Sequence, residues 1–262
     1  MKPTVPSCEF CRTPSEFKLE IATAFQPIVN VMTREIYAYE ALVRGSEGQS
    51  AAWVFEHVSD TDHYHFDQKC RVTAIETAAR LELQTRLSIN FLPNAVYEPH
   101  NCIRATLRAA QETGFPLKNL IFEVTEHERV TDQAHIRRII QAYKSFGFTT
   151  ALDDYGAGHA NAQLLLDIRP DIVKLDLKLI RGVDTDPWRQ ALIRSYVGFA
   201  EATRTLVVAE GIETLEEAST LLGLGVTHMQ GYFFARPMFQ ALPEVPEALF
   251  EAVHASWKQS FN

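Results

Sequence analysis

The sequence predicts an α/β fold, a (β/α)8 TIM-like barrel with an antiparallel first strand. Three observations predict it. Eight short apolar runs of strand length alternate with longer segments that carry apolar residues at helical spacing. The first two runs follow each other with no helix between them. Most of the runs contain or end in a polar residue, as strands do where a barrel opens into an active site.

The first two runs are AFQPIV near Phe25 and IYAYEALVR near Tyr39, and the turn NVMTRE separates them. They should therefore pair as an antiparallel hairpin. The other strand-like runs are RLSIN, LIFEV, TTALDD, DIVKLD, LVVAE and THMQ. Apolar spacing predicts helices over Phe66 to Leu83, Asn101 to Thr113, Gln133 to Phe146, Ala160 to Asp167, Trp188 to Thr203, Leu215 to Leu222 and Pro246 to Trp257.

Length and composition bound the class of protein. The chain has 262 residues, of which 46% are hydrophobic and 22% charged, enough for one large domain with its own core. Residues 1–16 hold three prolines and no periodicity, so we expect an irregular N-terminal arm followed by the barrel over residues 17–262.

Charge and hydropathy exclude several kinds of partner. No apolar run approaches the roughly 20 residues of a membrane span, and the N-terminus lacks a secretory apolar stretch, so we expect a cytoplasmic protein without membrane contact. A net charge of −8 argues against binding to a nucleic acid polymer. Cys8 and Cys11 could form half a zinc site or a redox pair, but two inert thiols are the preferred interpretation.

The polar residues of the strand-like runs are the main functional signal. Any one of them could cap the following helix, but capping does not explain seven strands in succession. Because the carboxyl ends of barrel strands converge on one mouth, these residues should lie together. They are Glu40, Asn90, Glu123, Asp153, Lys174, Glu210 and Gln230.

This set of side chains favours divalent metal chemistry. Two like charges about 4 Å apart repel by roughly 4 kcal/mol at an effective dielectric of 20, so the carboxylates require cations. Lys174 supplies one positive charge, and Mg²⁺ or Mn²⁺ suits carboxylate and amide oxygens. Adjacent Asp153 and Asp154 could serve two ions, as in phosphoester hydrolysis. The residues alone indicate a metal-dependent lyase or hydrolase acting on an anionic substrate.

Six ordered segments carry a resemblance to a known family. FQPIVNVMTREIYAYEALVRG contains Glu-Ala-Leu at Glu40, and it is followed by IFEVTE, ALDDYGAG, VKLD, VAEGIE and QGYFFARP. From about residue 17 to 245, the chain resembles the EAL domain family of cyclic di-GMP phosphodiesterases. The resemblance implies hydrolysis of cyclic di-GMP to linear 5′-pGpG by a metal-activated water, with two Mg²⁺ or Mn²⁺ ions, in a homodimer.

The resemblance also implies residue roles. Glu40, Glu210, Lys174 and Gln230 would be catalytic, while Gln26, Pro27 and Arg44 would bind the substrate. Glu126 would support the loop after Asp154. The implied metal ligands are Glu40, Asn90, Glu123, Asp153, Asp154 and Glu210.

The sequence departs from the family after the paired aspartates, where Tyr155 replaces the usual Phe and His159, Ala160 and Asn161 replace a run of Ser. Loss of a Ser hydroxyl at Ala160 predicts a less firmly held loop and a changed rate. The rival hypotheses are a non-catalytic module that binds cyclic di-GMP or a protein, and an unrelated metal-dependent barrel. The run SDTDHYHFD could hold a metal, but a solvated loop leading into a helix cap is the preferred interpretation.

Overall fold

The computed structural model describes residues 17–59, 61–124, 133–157 and 162–261. Eight strands form a closed barrel in the order β2-β3-β4-β5-β6-β7-β8-β1, and β1 also pairs with β2. The pairs from β2 to β8 are parallel, whereas β1 is antiparallel to both of its barrel neighbours. The predicted barrel with an antiparallel first strand is confirmed.

The strands are β1 Ile21–Asn30, β2 Glu35–Gly45, β3 Arg86–Phe91, β4 Leu120–Val124, β5 Thr149–Tyr155, β6 Ile172–Leu175, β7 Leu206–Ala209, β8 His228–Met229 and β9 Met238–Phe239. The helices are α1 Ala51–Glu56, α2 His63–Arg80, α3 Pro99–Cys102, α4 Arg104–Thr113, α5 Gln133–Ser145, α6 Ala162–Ile168, α7 Leu177–Ile180, α8 Pro187–Thr203, α9 Leu215–Gly223 and α10 Glu247–Phe261.

The hairpin of β1 and β2 sets the register of the site. Gln26 lies opposite Glu40 across this pair, and Pro27 lies opposite Tyr39. The register shifts between Ile28 and Val29, so the lower part of the hairpin is irregular. Since side chains alternate between the two faces of a strand, Gln26 and Glu40 point to one face while their neighbours point to the other.

An apolar layer fills the lower part of the barrel. Its six buried residues come from six different strands, and each lies two positions in the chain from a polar residue of the mouth. The layer removes water from beneath the mouth and so lowers the local dielectric there. Its members are Ile28, Ala38, Ile121, Ala151, Ile172 and Val208.

The structure adds elements that the sequence pattern did not predict. Two short helices, α1 and α7, and the two-residue strand β9, which pairs with β1 at Ala24 and Phe25, were missed. Such elements are too short to display a period. The predicted helix from Asn101 is interrupted at Ile103, which separates α3 from α4.

The histidine-rich run SDTDHYHFD does not lie in a solvated loop throughout. Helix α2 already begins at His63, and the side chain of Asp62 makes no capping hydrogen bond. Asp67 is 2% exposed and pairs with Arg71 one helical turn later. The solvated interpretation is therefore wrong for Asp67, because this face of α2 packs against the barrel.

Candidate active site

The mouth of the barrel gathers the polar residues that the strand pattern singled out. Each strand from β1 to β6 contributes one residue whose side chain points into the barrel, just above the apolar layer. The segments directly after β7 and β8 contribute the last two residues. The resulting ring consists of Gln26, Glu40, Asn90, Glu123, Asp153, Lys174, Glu210 and Gln230.

Lys174 is the centre of this ring. Its Nζ lies 2.7 Å from Glu123 Oε2 and 2.7 Å from Glu210 Oε1. Asp153 Oδ1 is 2.9 Å away and Glu40 Oε2 is 3.5 Å away. The lysine side chain is 1% exposed, so these contacts are made almost without water. One ammonium thus meets four carboxylates.

The charges of the ring shift each other's pKa values. Burial by itself would lower the pKa of Lys174, but the four surrounding carboxylates together raise it well above its ordinary value, so the amine stays protonated. Burial raises the pKa of Glu123 to about 8, with Lys174 opposing the rise and Glu40 and Asp153 adding to it. Burial, together with Asp153, Glu40 and Glu123, raises the pKa of Glu210 well above its ordinary value, while Lys174 opposes the rise. One ammonium cannot neutralise four ionised carboxylates, and the raised pKa values of Glu123 and Glu210 express this imbalance.

A chain of three amide side chains holds the carboxylate of Glu40 in place. Asn90 Nδ2 donates to Glu40 Oε1 at 2.9 Å, and Gln230 Nε2 donates to Glu40 Oε2 at 2.8 Å. Gln230 Nε2 also lies 3.3 Å from Gln26 Oε1, and Gln26 Nε2 donates to the carbonyl of Ala235 at 3.1 Å. Both oxygens of Glu40 are therefore oriented by neutral donors.

The residues of the mouth fit divalent metal ions. Two acidic groups place one oxygen of each member within 4.8 Å of the others: Glu40, Glu123 and Asp153 form the first, and Asp153, Asp154 and Glu210 the second. Asn90 Oδ1 is buried and accepts no hydrogen bond from any described residue, although its amide nitrogen is used. A buried carbonyl oxygen beside two carboxylates is a suitable ligand for a hard cation. Asp153 belongs to both groups.

The remaining predicted residues lie in different places. Arg44 lies on β2, on the same face as Glu40 and nearer the strand's end, where its guanidinium donates to the carbonyl of Val43 at 2.8 Å. Pro27 is buried in β1, on the face opposite to that of Gln26. Glu126, residues 1–16 and the altered loop from His159 to Asn161 lie outside the described residues.

Ser88 is a site residue that the sequence analysis missed. It lies on β3 two positions before Asn90, and its hydroxyl donates to Glu123 Oε1. The other oxygen of Glu123 faces Lys174, so both oxygens of this carboxylate are engaged. Strand alternation alone could have identified Ser88, because residues two apart share a face.

Two cavities border the acidic cluster on different sides. The larger, about 580 Å³, is mostly apolar and reaches from Leu42, Phe55 and Phe66 to Glu40 and Asp153. The smaller, about 260 Å³, is lined mainly by polar and charged residues, among them Asp154, Glu210, Gln230 and Tyr232. Glu40 borders both cavities, so a ligand crossing the cluster could extend into each.

The chain was compared with known protein families and solved structures. The EAL domain family profile matches residues 16–237, which is most of the chain. The chain belongs to the EAL domain family. An EAL protein from Vibrio cholerae O395, solved in its c-di-GMP-bound form, shares 47% sequence identity and a TM-score of 0.86, over 89% of this chain and 99% of that one. BlrP1 of Klebsiella pneumoniae, solved with manganese and cyclic di-GMP, shares 31% identity and a TM-score of 0.82, over 89% of this chain and 59% of that one.

Curated relatives of this EAL protein carry two kinds of name. The blue light- and temperature-regulated antirepressor BluF of Escherichia coli K12 is 30% identical over 85% of this chain. The probable cyclic di-GMP phosphodiesterase PdeI of the same strain is 28% identical over 84% of this chain. The chain spans only 55% of the length of BluF and 29% of PdeI. Among the described residues, no helix has the length and apolar character needed to cross a membrane.

Proposed function

We propose that this EAL protein hydrolyses cyclic di-GMP to linear 5′-pGpG with the help of two Mg²⁺ or Mn²⁺ ions. The observation that carries the proposal is the pair of acidic groups that share Asp153. A residue common to two metal groups is the arrangement expected of a two-metal phosphodiesterase. The solved relatives that contain cyclic di-GMP, with manganese in one case, support the same substrate and ion type.

Each ring residue has a part in this proposal. Glu40, Asn90, Glu123 and Asp153 would hold one ion, and Asp153, Asp154 and Glu210 the other. When bound, the two ions would supply charge neutralisation at the phosphodiester and a water acidic enough to react at neutral pH. Lys174, held protonated by its neighbours, would orient that water and offset the negative charge on the phosphoryl oxygens. Gln230 would keep Glu40 in its orientation through the 2.8 Å hydrogen bond.

The two cavities match the shape of the proposed substrate. Cyclic di-GMP has two guanosines joined by two phosphodiesters, so one phosphate can lie at the acidic cluster while a base extends to either side. The larger apolar cavity beside Leu42 and Phe66 offers a flat base a dry environment. Arg44, on the same face of β2 as Glu40, would contact a phosphate, for which its forked guanidinium is well suited. The Gln26 side chain and the backbone around Gln26 and Pro27 would line the nucleotide pocket from β1.

A direct assay tests the proposal. The purified protein is incubated with cyclic di-GMP and Mg²⁺ or Mn²⁺, and the nucleotides are separated by chromatography. We expect pGpG from the wild type, none from Glu40→Gln, and wild-type amounts from Glu35→Gln. Glu35 is the matched control because it lies on the same strand at the opposite, exposed end of the barrel. If the wild type forms no pGpG with either ion, the hydrolase proposal is wrong.

A second candidate is a regulatory module that binds cyclic di-GMP or a protein without hydrolysis. The similarity to BluF, which is named as an antirepressor, favours this candidate. Isothermal titration with cyclic di-GMP in the presence of Ca²⁺ separates the two. Binding without product in the Mg²⁺ and Mn²⁺ assays supports the receptor, and absence of binding contradicts both cyclic di-GMP functions.

Quaternary structure and cellular location form a further part of the proposal. A homodimer, assembled near the loop after Asp154, is proposed from the family resemblance, and light scattering coupled to size exclusion would measure it. Location in the cytoplasm, the lack of membrane contact and the lack of nucleic-acid binding stay predictions from composition and charge. The division into an arm over residues 1–16 and a barrel over residues 17–262 also stays a prediction.

A further inference from the structure

The short helix α7 lies between the two segments that carry the second acidic group. The first, called here the Asp154 loop, is the end of β5 with the residues that follow it, Asp154 to Ala157; the second, the Glu210 loop, follows β7 and includes Glu210 and Gly211. Helix α7, Leu177–Ile180, directly follows Asp176 at the end of the intervening strand β6. The helix is therefore placed to touch both neighbours at once.

Glycines in both loops make room for leucines of α7. A Cβ atom added to Gly156 would lie 2.4 Å from Leu179 Cδ1, and one added to Gly211 would lie 2.3 Å from Leu177 Cβ. Both glycines have positive φ, +100° at Gly156 and +69° at Gly211, so other residues would also be strained there. The loop backbones thus approach α7 more closely than any other residue type would allow.

Polar contacts attach α7 to the Asp154 loop as well. Lys178 Nζ donates to the carbonyl of Ala157 at 3.2 Å, and the backbone N–H of Asp176 donates to the carbonyl of Tyr155 at 3.2 Å. The Asp154 backbone is itself in the left-handed region with φ of 53°, an unfavourable conformation for a residue with a side chain. Such a conformation persists only where the surroundings hold it.

We infer that α7 is a positioning element that holds Asp154 and Glu210 at the distance needed for the second metal ion. Leu179 fixes the Asp154 loop through Gly156, and Leu177 fixes the Glu210 loop through Gly211. Neither leucine belongs to the ligand set, so both act only through the loops that they support. This inference rests on the proposed two-metal function, and it adds the residues that set the geometry of one of the two sites.

The test compares two leucine truncations. Leu179→Ala removes the Cδ atoms that meet Gly156, whereas Leu192→Ala, the control, trims a side chain on α8 that is 41% exposed. Mn²⁺ binding is measured by electron paramagnetic resonance and by calorimetry, and kcat and KM for cyclic di-GMP are measured in parallel. We expect Leu179→Ala to bind the weaker Mn²⁺ ion on the order of tenfold less tightly, the effect typical of residues that orient metal ligands. We expect kcat of Leu179→Ala to fall with KM nearly unchanged, and Leu192→Ala to behave as the wild type.

Two further variants keep the inference testable if Leu179→Ala folds poorly. Leu179→Met should restore most of the Mn²⁺ affinity, because it refills the space against Gly156. Lys178→Met, on an exposed side chain, should weaken the second ion slightly without altering stability. Unchanged Mn²⁺ titrations for both Leu179→Ala and Lys178→Met would overturn the inference. Because Mn²⁺ binding is read without hydrolysis, an inactive wild type would contradict the proposed function and leave this comparison intact.

Discussion

Two buried ionic clusters in the described part of the chain differ in the ratio of cations to carboxyl groups rather than in burial. At the barrel mouth, Lys174 faces four carboxylates. Beneath α2, Arg71 faces one carboxylate, that of Asp67. The side chains of Lys174, Arg71 and Asp67 are all 1% exposed or less. Burial therefore does not distinguish the cluster at the barrel mouth from the α2 cluster of Arg71 and Asp67.

The α2 cluster is balanced and fully hydrogen-bonded. Arg71 pairs with Asp67 Oδ2 and donates to Tyr143 Oη at 3.2 Å, while the backbone N–H of Leu92 donates to Asp67 Oδ1 at 3.0 Å. It ties α2 to α5 and to the segment after β3. At the mouth, by contrast, four carboxyl groups surround one ammonium, and Asn90 Oδ1 accepts no hydrogen bond within the described chain. Unbalanced charge and an unused buried acceptor, taken together, indicate a ligand site.

The largest expected effect comes from removing one charge at the mouth. Asp153→Asn should lower kcat/KM on the order of a thousandfold, about 4 kcal/mol in the barrier, because Asp153 belongs to both acidic groups. The same change should leave the metal-free protein as stable as the wild type or more so, since it relieves repulsion among carboxylates. Activity and urea unfolding in EDTA are the measurements. Asp184→Asn on the surface is the control, and a large loss of stability in Asp153→Asn would contradict the proposed imbalance.

The opposite result is expected at the α2 cluster. Arg71→Met leaves the Asp67 carboxylate buried without its cation, which should lower the free energy of unfolding by about 3–5 kcal/mol. Arg80→Met, on the same helix with an exposed contact to Gln240, should change it by less than about 0.5 kcal/mol. Urea unfolding of both variants tests this. The double variant Asp67→Leu/Arg71→Met should recover part of the loss, because neither charge is then left unpaired.

Metal ions should stabilise the folded protein by binding at the barrel mouth and not at the α2 cluster. At a Mn²⁺ concentration about 100 times its dissociation constant, the wild type should gain about 2.7 kcal/mol, seen as a higher Tm than in EDTA. Asp153→Asn should lose most of this gain. Arg80→Met should keep all of it, since its substitution lies far from the mouth. A Tm independent of Mn²⁺ in the wild type would show that the excess charge is compensated by protonation rather than by ions.

The sequence predicted the mouth far better than the α2 cluster, and the reason is periodicity. Residues two apart on a strand share a face, and barrel topology brings strand ends together, so Glu40 and Lys174 could be placed near each other without a structure. For Asp67 and Arg71, spacing of four residues identifies neighbours on a helix, but not whether that face is buried. Similarly, α7 was missed because four residues show no period. The motifs that carried the family resemblance include the residues that α7 supports, but they do not reveal the contact with Gly156.

The imidazole of His228 is buried like the two clusters, and its predicted effect on the free energy of unfolding is the smallest of those considered. His228 is 8% exposed at the lower end of the barrel, beside the ring of Tyr37 and the Thr227 hydroxyl. Burial first, and then the nearby Arg86 cation, lower its pKa from 6.5 to about 4. No carboxylate of the described residues forms an ion pair with this histidine, and the lowered pKa keeps it neutral in the folded protein near pH 7.

Because the unfolded chain takes up a proton at His228 near pH 6.5 and the folded chain does so only near pH 4, stability should fall as the pH drops through this window. Between pH 6.5 and 5.5 the loss from this residue should be about 1 kcal/mol. Urea unfolding at both pH values in wild type and His228→Asn isolates the contribution, since the carboxylates titrate alike in both proteins. Parallel pH profiles for the two proteins would mean that His228 is protonated in the fold. A buried positive charge would then persist at His228 without a carboxylate partner, unlike the charges of Lys174 and Arg71.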